Sequence, residues 1–110
     1  MFARFVEANP KPEMLEKKEE VLRVLKNEVL PILKKQQGFL EILRFAPENK
    51  NEKFITITLW TDKKDAERFD REAFAKVQEI MKPYVTAPMT VKYYNVETSL
   101  CEHFEKAMAA

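Results

Sequence analysis

Residues 54–74, FITITLWTDKKDAERFDREAF, hold the junction on which the fold turns. The first seven place β-branched side chains at Ile55, Thr56, Ile57 and Thr58 and end in the only tryptophan of the chain, Trp60, which reads as a strand. Thr61 or Asp62 then stands where a helix N-cap is wanted, and Ala66 and Phe69 follow at helical spacing. Trp60 is thus expected at the mouth of a strand-to-helix junction, a place where ligand sites are often built.

Upstream, residues 39–45 (FLEILRF) read as a strand and the polar run 46–53 as a turn, so the two strands form an antiparallel hairpin. Gly38, the only glycine, sits where a left-handed cap would end a preceding helix. That helix is predicted as one long amphipathic element from Glu13, carried by Val21, Leu22, Leu25, Val29, Ile32 and Leu33, with Glu13–Lys17 and Glu19–Arg23 as i to i+4 pairs. Pro31 predicts a kink or break in it. Residues 2–7 read as a first strand, ended by Asn9, Pro10 and Pro12. Downstream, a further helix is predicted from about Arg71 through Phe74, Val77, Ile80 and Met81, with Pro83 and Pro88 around its end and a fourth strand at 89–96.

The order β-α-β-β-α-β is the ferredoxin-like split βαβ of an α+β fold, an antiparallel four-stranded sheet with helices on one face. Alternation puts Ile55, Ile57 and Leu59 on one face of the third strand, read as core under the helices. It puts Phe54, Thr56, Thr58 and Trp60 on the other. In the second strand Phe39, Leu43 and Phe45 oppose Leu40 and Ile42. Both faces carry apolar area, so a homodimer through the sheet face is expected.

At 110 residues the chain suits a single domain, read as residues 1–97 with a C-terminal tail or dimer arm at 98–110. Nineteen Lys and Arg against eighteen Asp and Glu give a net charge of +1, no field for nucleic acid or an anionic membrane surface. One cysteine, Cys101, precludes an internal disulfide, and no Cys/His cluster has metal-site spacing. With no signal-like or spanning apolar run either, a cytoplasmic protein is expected, with no membrane contact and no metal.

Several features together carry a resemblance: Leu30-Pro31 late in the first helix, Gly38-Phe39 opening a strand, Leu59-Trp60 before Thr61-Asp62, then Ala66 and Phe69. Lys82-Pro83-Tyr84 and Tyr93-Tyr94-Asn95-Val96 add to it. Over the chain up to Val96 it resembles the antibiotic biosynthesis monooxygenase family of dimeric α+β barrels. The resemblance implies two sheets face to face in a dimer and a pocket in each protomer between sheet and helices. It also implies a choice of chemistries: cofactor-independent oxygenation of phenols or quinols, or haem degradation by asparagine, tryptophan and histidine. Trp60 matches that tryptophan, but Gln78 falls near the histidine position and Ala3 and Arg4 near the asparagine. No cofactor is expected, since iron lacks an axial ligand.

The expected function is a monooxygenase-like protein acting on a small aromatic phenol or quinol, or a non-catalytic dimeric ligand-binding module. Expected ligand-binding residues are Trp60, Phe69, Phe74, Tyr94 and Arg44. Trp60 also reads as a core or dimer anchor, the commoner role of a tryptophan. Arg4 and Arg44 lie within strands and need partners such as Glu7 or Glu41, or else a phenolate or carboxylate ligand. His103, the only histidine, is the candidate general base, and a solvated tail residue otherwise. An RNA-binding sheet would want basic residues beside exposed aromatics, and the third strand has none.

Overall fold

A computed structural model describes residues 1–49 and 51–101, with the backbone alone at 87 and 88. Four strands, β1 (Phe2–Pro10), β2 (Phe39–Phe45), β3 (Phe54–Trp60) and β4 (Val85–Asn95), form one antiparallel sheet in the order β2-β3-β1-β4. Helices α1 (Lys18–Val24), α2 (Leu30–Lys34), α3 (Lys63–Glu72) and α4 (Phe74–Met81) supply the crossovers. This is the ferredoxin-like α+β arrangement expected from the element order. No helix among the described residues is long and apolar enough to cross a membrane.

The first crossover is more broken than its periodicity predicts. Pro12–Met14 forms a short 3-10 turn, and α1 begins only after Lys17, whose φ of −112° and ψ of 42° are not helical. Residues 11–17 contain no Ser, Thr, Asp or Asn to cap a helix start, and Lys17 makes no side-chain cap. Glu13 and Lys17 therefore do not face each other across one α-helical turn. Pro31 does not break the helix either. The preceding segment Leu25–Val29 widens to a π-helical turn in which the Leu30 N–H bonds back to the Leu25 carbonyl. That turn absorbs the donor Pro31 lacks, and α2 continues from it.

Gly38 has the positive φ expected, 83°, but it lies in the turn beyond α2 and does not cap the helix; the capping residue is Lys35. Its carbonyl accepts from the Thr61 N–H at 2.8 Å, and a Cβ there would overlap the Asp65 carboxylate. Asp62, not Thr61, caps α3, its carboxylate accepting from the Asp65 N–H at 3.1 Å. A break at Ala73 (φ −133°) places Arg71 at the end of α3 and starts α4 at Phe74. β4 starts earlier than predicted and runs through Pro88, which an edge strand tolerates.

The faces of β3 are inverted relative to the sequence reading. Phe2, Arg4 and Val6 of β1 register with Trp60, Thr58 and Thr56, and this row meets the helices. Trp60 packs there with Val21, Val24, Val29, Leu33, Ala66, Phe69 and Met81 in the core. Burying each such large apolar side chain contributes about 1.5–3 kcal/mol. Ile55, Ile57 and Leu59 lie on the open face with Phe5, Leu43 and Tyr94. Buried threonines are no obstacle to the helix side, because Thr58 Oγ1 accepts from Trp60 Nε1 at 2.9 Å. In β2 the register shifts between Phe39 and Glu41, so Phe39 joins Ile42 and Arg44 on the helix side. Leu43 and Phe45 remain open, with Phe45 48% exposed.

Candidate functional site

Between the sheet and the helices lies a partly open cavity of about 90 Å³. Its floor is the inner row of the sheet: Arg4 and Val6 of β1, Thr58 and Thr56 of β3, Ile42 and Arg44 of β2. Its roof is Leu25, Val29 and Leu33 from the first crossover and Phe69, Phe74, Val77 and Met81 from the second. The spacing of four along Leu25, Val29 and Leu33 brings one helical stripe onto it. An engineered cavity of about 150 Å³ takes up benzene. This cavity is smaller, so a single aromatic ring enters only by using its open side and by movement of the adaptable Met81 and Met89.

The polar character of the cavity comes from two arginines. Arg4 is 2% exposed, and its Nε donates to Asp70 Oδ1 at 2.8 Å. Its guanidinium carbon lies 4.0 Å from the Phe74 ring centroid and 5.3 Å from that of Phe69. Stacking and ion pairing hold the group rigidly, yet its Nη2 is buried with no hydrogen-bond partner among the described residues. A buried, unanswered donor costs about 1–3 kcal/mol unless something meets it. Asp70 also accepts from the Tyr93 hydroxyl, so α3, β1 and β4 are tied through one carboxylate. Burial, then the hydrogen bond to Asp70, raises the Tyr93 phenol above its ordinary range.

Arg44 is half-buried, with its guanidinium carbon 4.9 Å from the Phe54 ring centroid. Among the described residues no carboxylate pairs with it. The suggested partners are engaged elsewhere: Glu7 with Lys92 at 3.0 Å, and Glu41 with the Ile42 N–H at 2.8 Å on the open-face side of β2. Burial alone lowers the Arg44 guanidinium from its usual range.

Of the residues singled out from sequence, Phe69, Phe74 and Arg44 line this cavity. Trp60 does not; it is 0% exposed, with Phe39 and Phe69 rings 5.6 and 5.2 Å away, and it stands behind the cavity wall through Thr58. Tyr94 registers with Ala3 and so lies on the open face, 50% exposed against Phe5. Strand alternation sends Tyr93 to the helix side in its place. His103 lies outside the described residues. Sequence reading missed Asp70, Thr58 and Met81. Arg4 was foreseen as needing a partner, but the partner comes from α3 and not from Glu7 or Glu41.

No protein-family model and no curated protein matches the sequence. Solved structures do match the fold. A candidate antibiotic biosynthesis monooxygenase from Nitrosomonas europaea superposes with a TM-score of 0.64 at 15% identity, covering 89% of this chain and 100% of that one. SnoaB, a cofactor-independent oxygenase from Streptomyces nogalater, gives 0.66 at 14% identity over 90% of this chain and 95% of its own. The haem degrader MhuD from Mycobacterium tuberculosis, solved with two haems in its active site, gives 0.66 at 12% identity over 91% and 99%. At such identities the likeness is one of architecture: this chain has the fold shared by antibiotic biosynthesis monooxygenases, cofactor-independent oxygenases and haem-degrading proteins.

Proposed function

We propose that this chain is a cytoplasmic homodimer of the antibiotic biosynthesis monooxygenase type, with a functional domain at 1–97 and a tail at 98–110. On this reading the cavity holds a small phenol or quinol, which the protein oxygenates without a cofactor. The observation that supports this best is Arg4, which lines a small, partly open apolar cavity and whose buried Nη2 has no hydrogen-bond partner among the described residues. An N–H of a fixed guanidinium stabilises a phenolate over the phenol and lowers the ligand's pKa. The phenolate is the electron-rich form that gives electrons to oxygen, and the apolar roof keeps water from it.

Haem does not fit the residues present. The cavity, about 90 Å³, is far below a tetrapyrrole, and no described side chain lining it is an iron ligand of histidine, cysteine, tyrosine or methionine-and-histidine type. Gln78, which by the resemblance falls near the axial histidine position, is exposed on α4.

One observation favours the second reading, a ligand-binding dimer without catalysis: no carboxylate or imidazole is among the described residues lining the cavity. The base would then have to be His103 from the tail, or the phenol's own ionisation. Oxygen uptake with a panel of single-ring hydroquinones separates the readings. Parent protein is expected to consume oxygen, and Arg4→Met to do so about 100-fold more slowly, as for loss of one oxyanion donor. His103→Ala at parental rate excludes that base. No uptake from any hydroquinone leaves the binding module.

The open face of the sheet supports the dimer. Phe5, Leu43, Phe45, Ile55, Ile57 and Tyr94 form an apolar surface on which solvated side chains would otherwise be expected. A stable interface needs roughly 800 Å² from each partner, about what such a sheet face provides. Sedimentation at micromolar concentration is expected to give a dimer for the parent and a monomer for Ile57→Asp, which buries a charge at the centre of the face. A monomeric parent removes the dimer from the proposal.

A further inference from the structure

The two arginines of the cavity are not equivalent. Arg4, at the buried end, has its charge offset by Asp70 at 2.8 Å and offers donors with little net charge behind them. Arg44, at the more exposed end, faces the same cavity with no counter-charge among the described residues. Between them on β3 stand Thr58, opposite Arg4, and Thr56, opposite Arg44. From strand spacing and rise the two arginine Cα atoms are roughly 12 Å apart, and both side chains reach inward along that diagonal. Thr56 faces the cavity beside Arg44 with a hydroxyl that makes no hydrogen bond among the described residues. The rest of the lining is apolar or aromatic.

An offset guanidinium still donates hydrogen bonds and suits a weakly acidic oxygen that ionises only once bound, such as a phenol. An unmatched one, carrying a full charge in partly dehydrated surroundings, suits an oxygen already ionised at neutral pH. We propose that the ligand of this cavity is a single-ring hydroxyarene carrying a carboxylate, the carboxylate paired with Arg44 at the open end and the hydroxyl received by Arg4 at the buried end. The proposal rests on the reading of the cavity as a phenol site and names its substrate class. It also orients the ligand, hydroxyl inward, so that the carbon bearing the hydroxyl lies deepest beneath Phe69 and Phe74. Burial lowers the Arg44 guanidinium from its usual range, a penalty that a bound carboxylate relieves.

Isothermal titration with phenol and with 4-hydroxybenzoate tests it. The parent is expected to bind 4-hydroxybenzoate at least about tenfold more tightly, the increment of one charge-assisted pair. Arg44→Gln is expected to bring the affinity for 4-hydroxybenzoate down to that for phenol, and a far-UV circular dichroism spectrum matching the parent's reports that the variant is folded. Equal binding of phenol and 4-hydroxybenzoate by the parent overturns the carboxylate assignment and leaves the phenol site standing. Joint loss of both ligands in Arg44→Gln overturns the division of roles between the arginines. If the parent binds neither compound, the proposal fails together with the reading of the cavity.

Discussion

Trp60→Ala is expected to lower the unfolding free energy by about 4 kcal/mol, the range seen when a buried aromatic is truncated to alanine. Trp60 is fully buried and is the largest such side chain in the protein. It joins β3 to β2 through Phe39 and to α3 through Phe69, so no single element can collapse into the space it leaves. A domain of this size is stable by only about 5–15 kcal/mol, so the variant would be partly unfolded on mild heating. Trp60→Phe is expected to cost less, about 2 kcal/mol, from lost volume and from the loss of the indole donor to Thr58. Urea titration gives both values. A loss under about 1 kcal/mol for Trp60→Ala would be incompatible with a packed indole.

Gly38→Ala follows closely, with an expected loss of about 3 kcal/mol. A φ of 83° costs an L-residue roughly 1–2 kcal/mol, and overpacking adds about 1–3 kcal/mol. The overlap is with the Asp65 carboxylate, whose Oδ1 accepts from Arg68 Nη1 at 3.0 Å. Asp65 cannot swing away without surrendering that pair and disturbing the first turn of α3. Gly38→Ala combined with Asp65→Ala should therefore recover part of the loss, measured as a coupling in a double-mutant cycle. Strict additivity of the two substitutions would show that the methyl group and the carboxylate do not meet.

The element order and the junction at 54–74 were legible because they rest on local signals: β-branched residues, an N-cap, a lone glycine. Which face the helices cover was not. Alternation establishes that Ile55, Ile57 and Leu59 travel together, but when both rows are apolar it does not say which one the helices meet. The purely aliphatic row faces away from them. The helix-side row accommodates threonines because one is hydrogen-bonded to an indole, an arrangement visible only in three dimensions. The shift at Leu40 carried no glycine or proline to announce it, and it moved Phe39 to the side opposite the one expected. Arg4 and Arg44 were recognised as strand arginines in need of partners. Their different fates depend on Asp70, 66 residues from Arg4, and on the absence of any comparable carboxylate near Arg44 among the described residues.

The wide turn before Pro31 bears on the cavity in a way that its hydrogen bonds alone do not convey. Leu25 and Val29 are the first and last residues of that turn, and both line the cavity. A helix that could trade its long-period bond for an ordinary one would rotate this part of the roof and change the room beneath it. The ring of Pro31 would clash with the Asn27 carbonyl of an ordinary turn, and Pro31 supplies no N–H to hold such a turn from its own position. The shape of the ligand space is thus anchored in a covalent ring outside the space itself, and an imino acid that touches no ligand acts as its template.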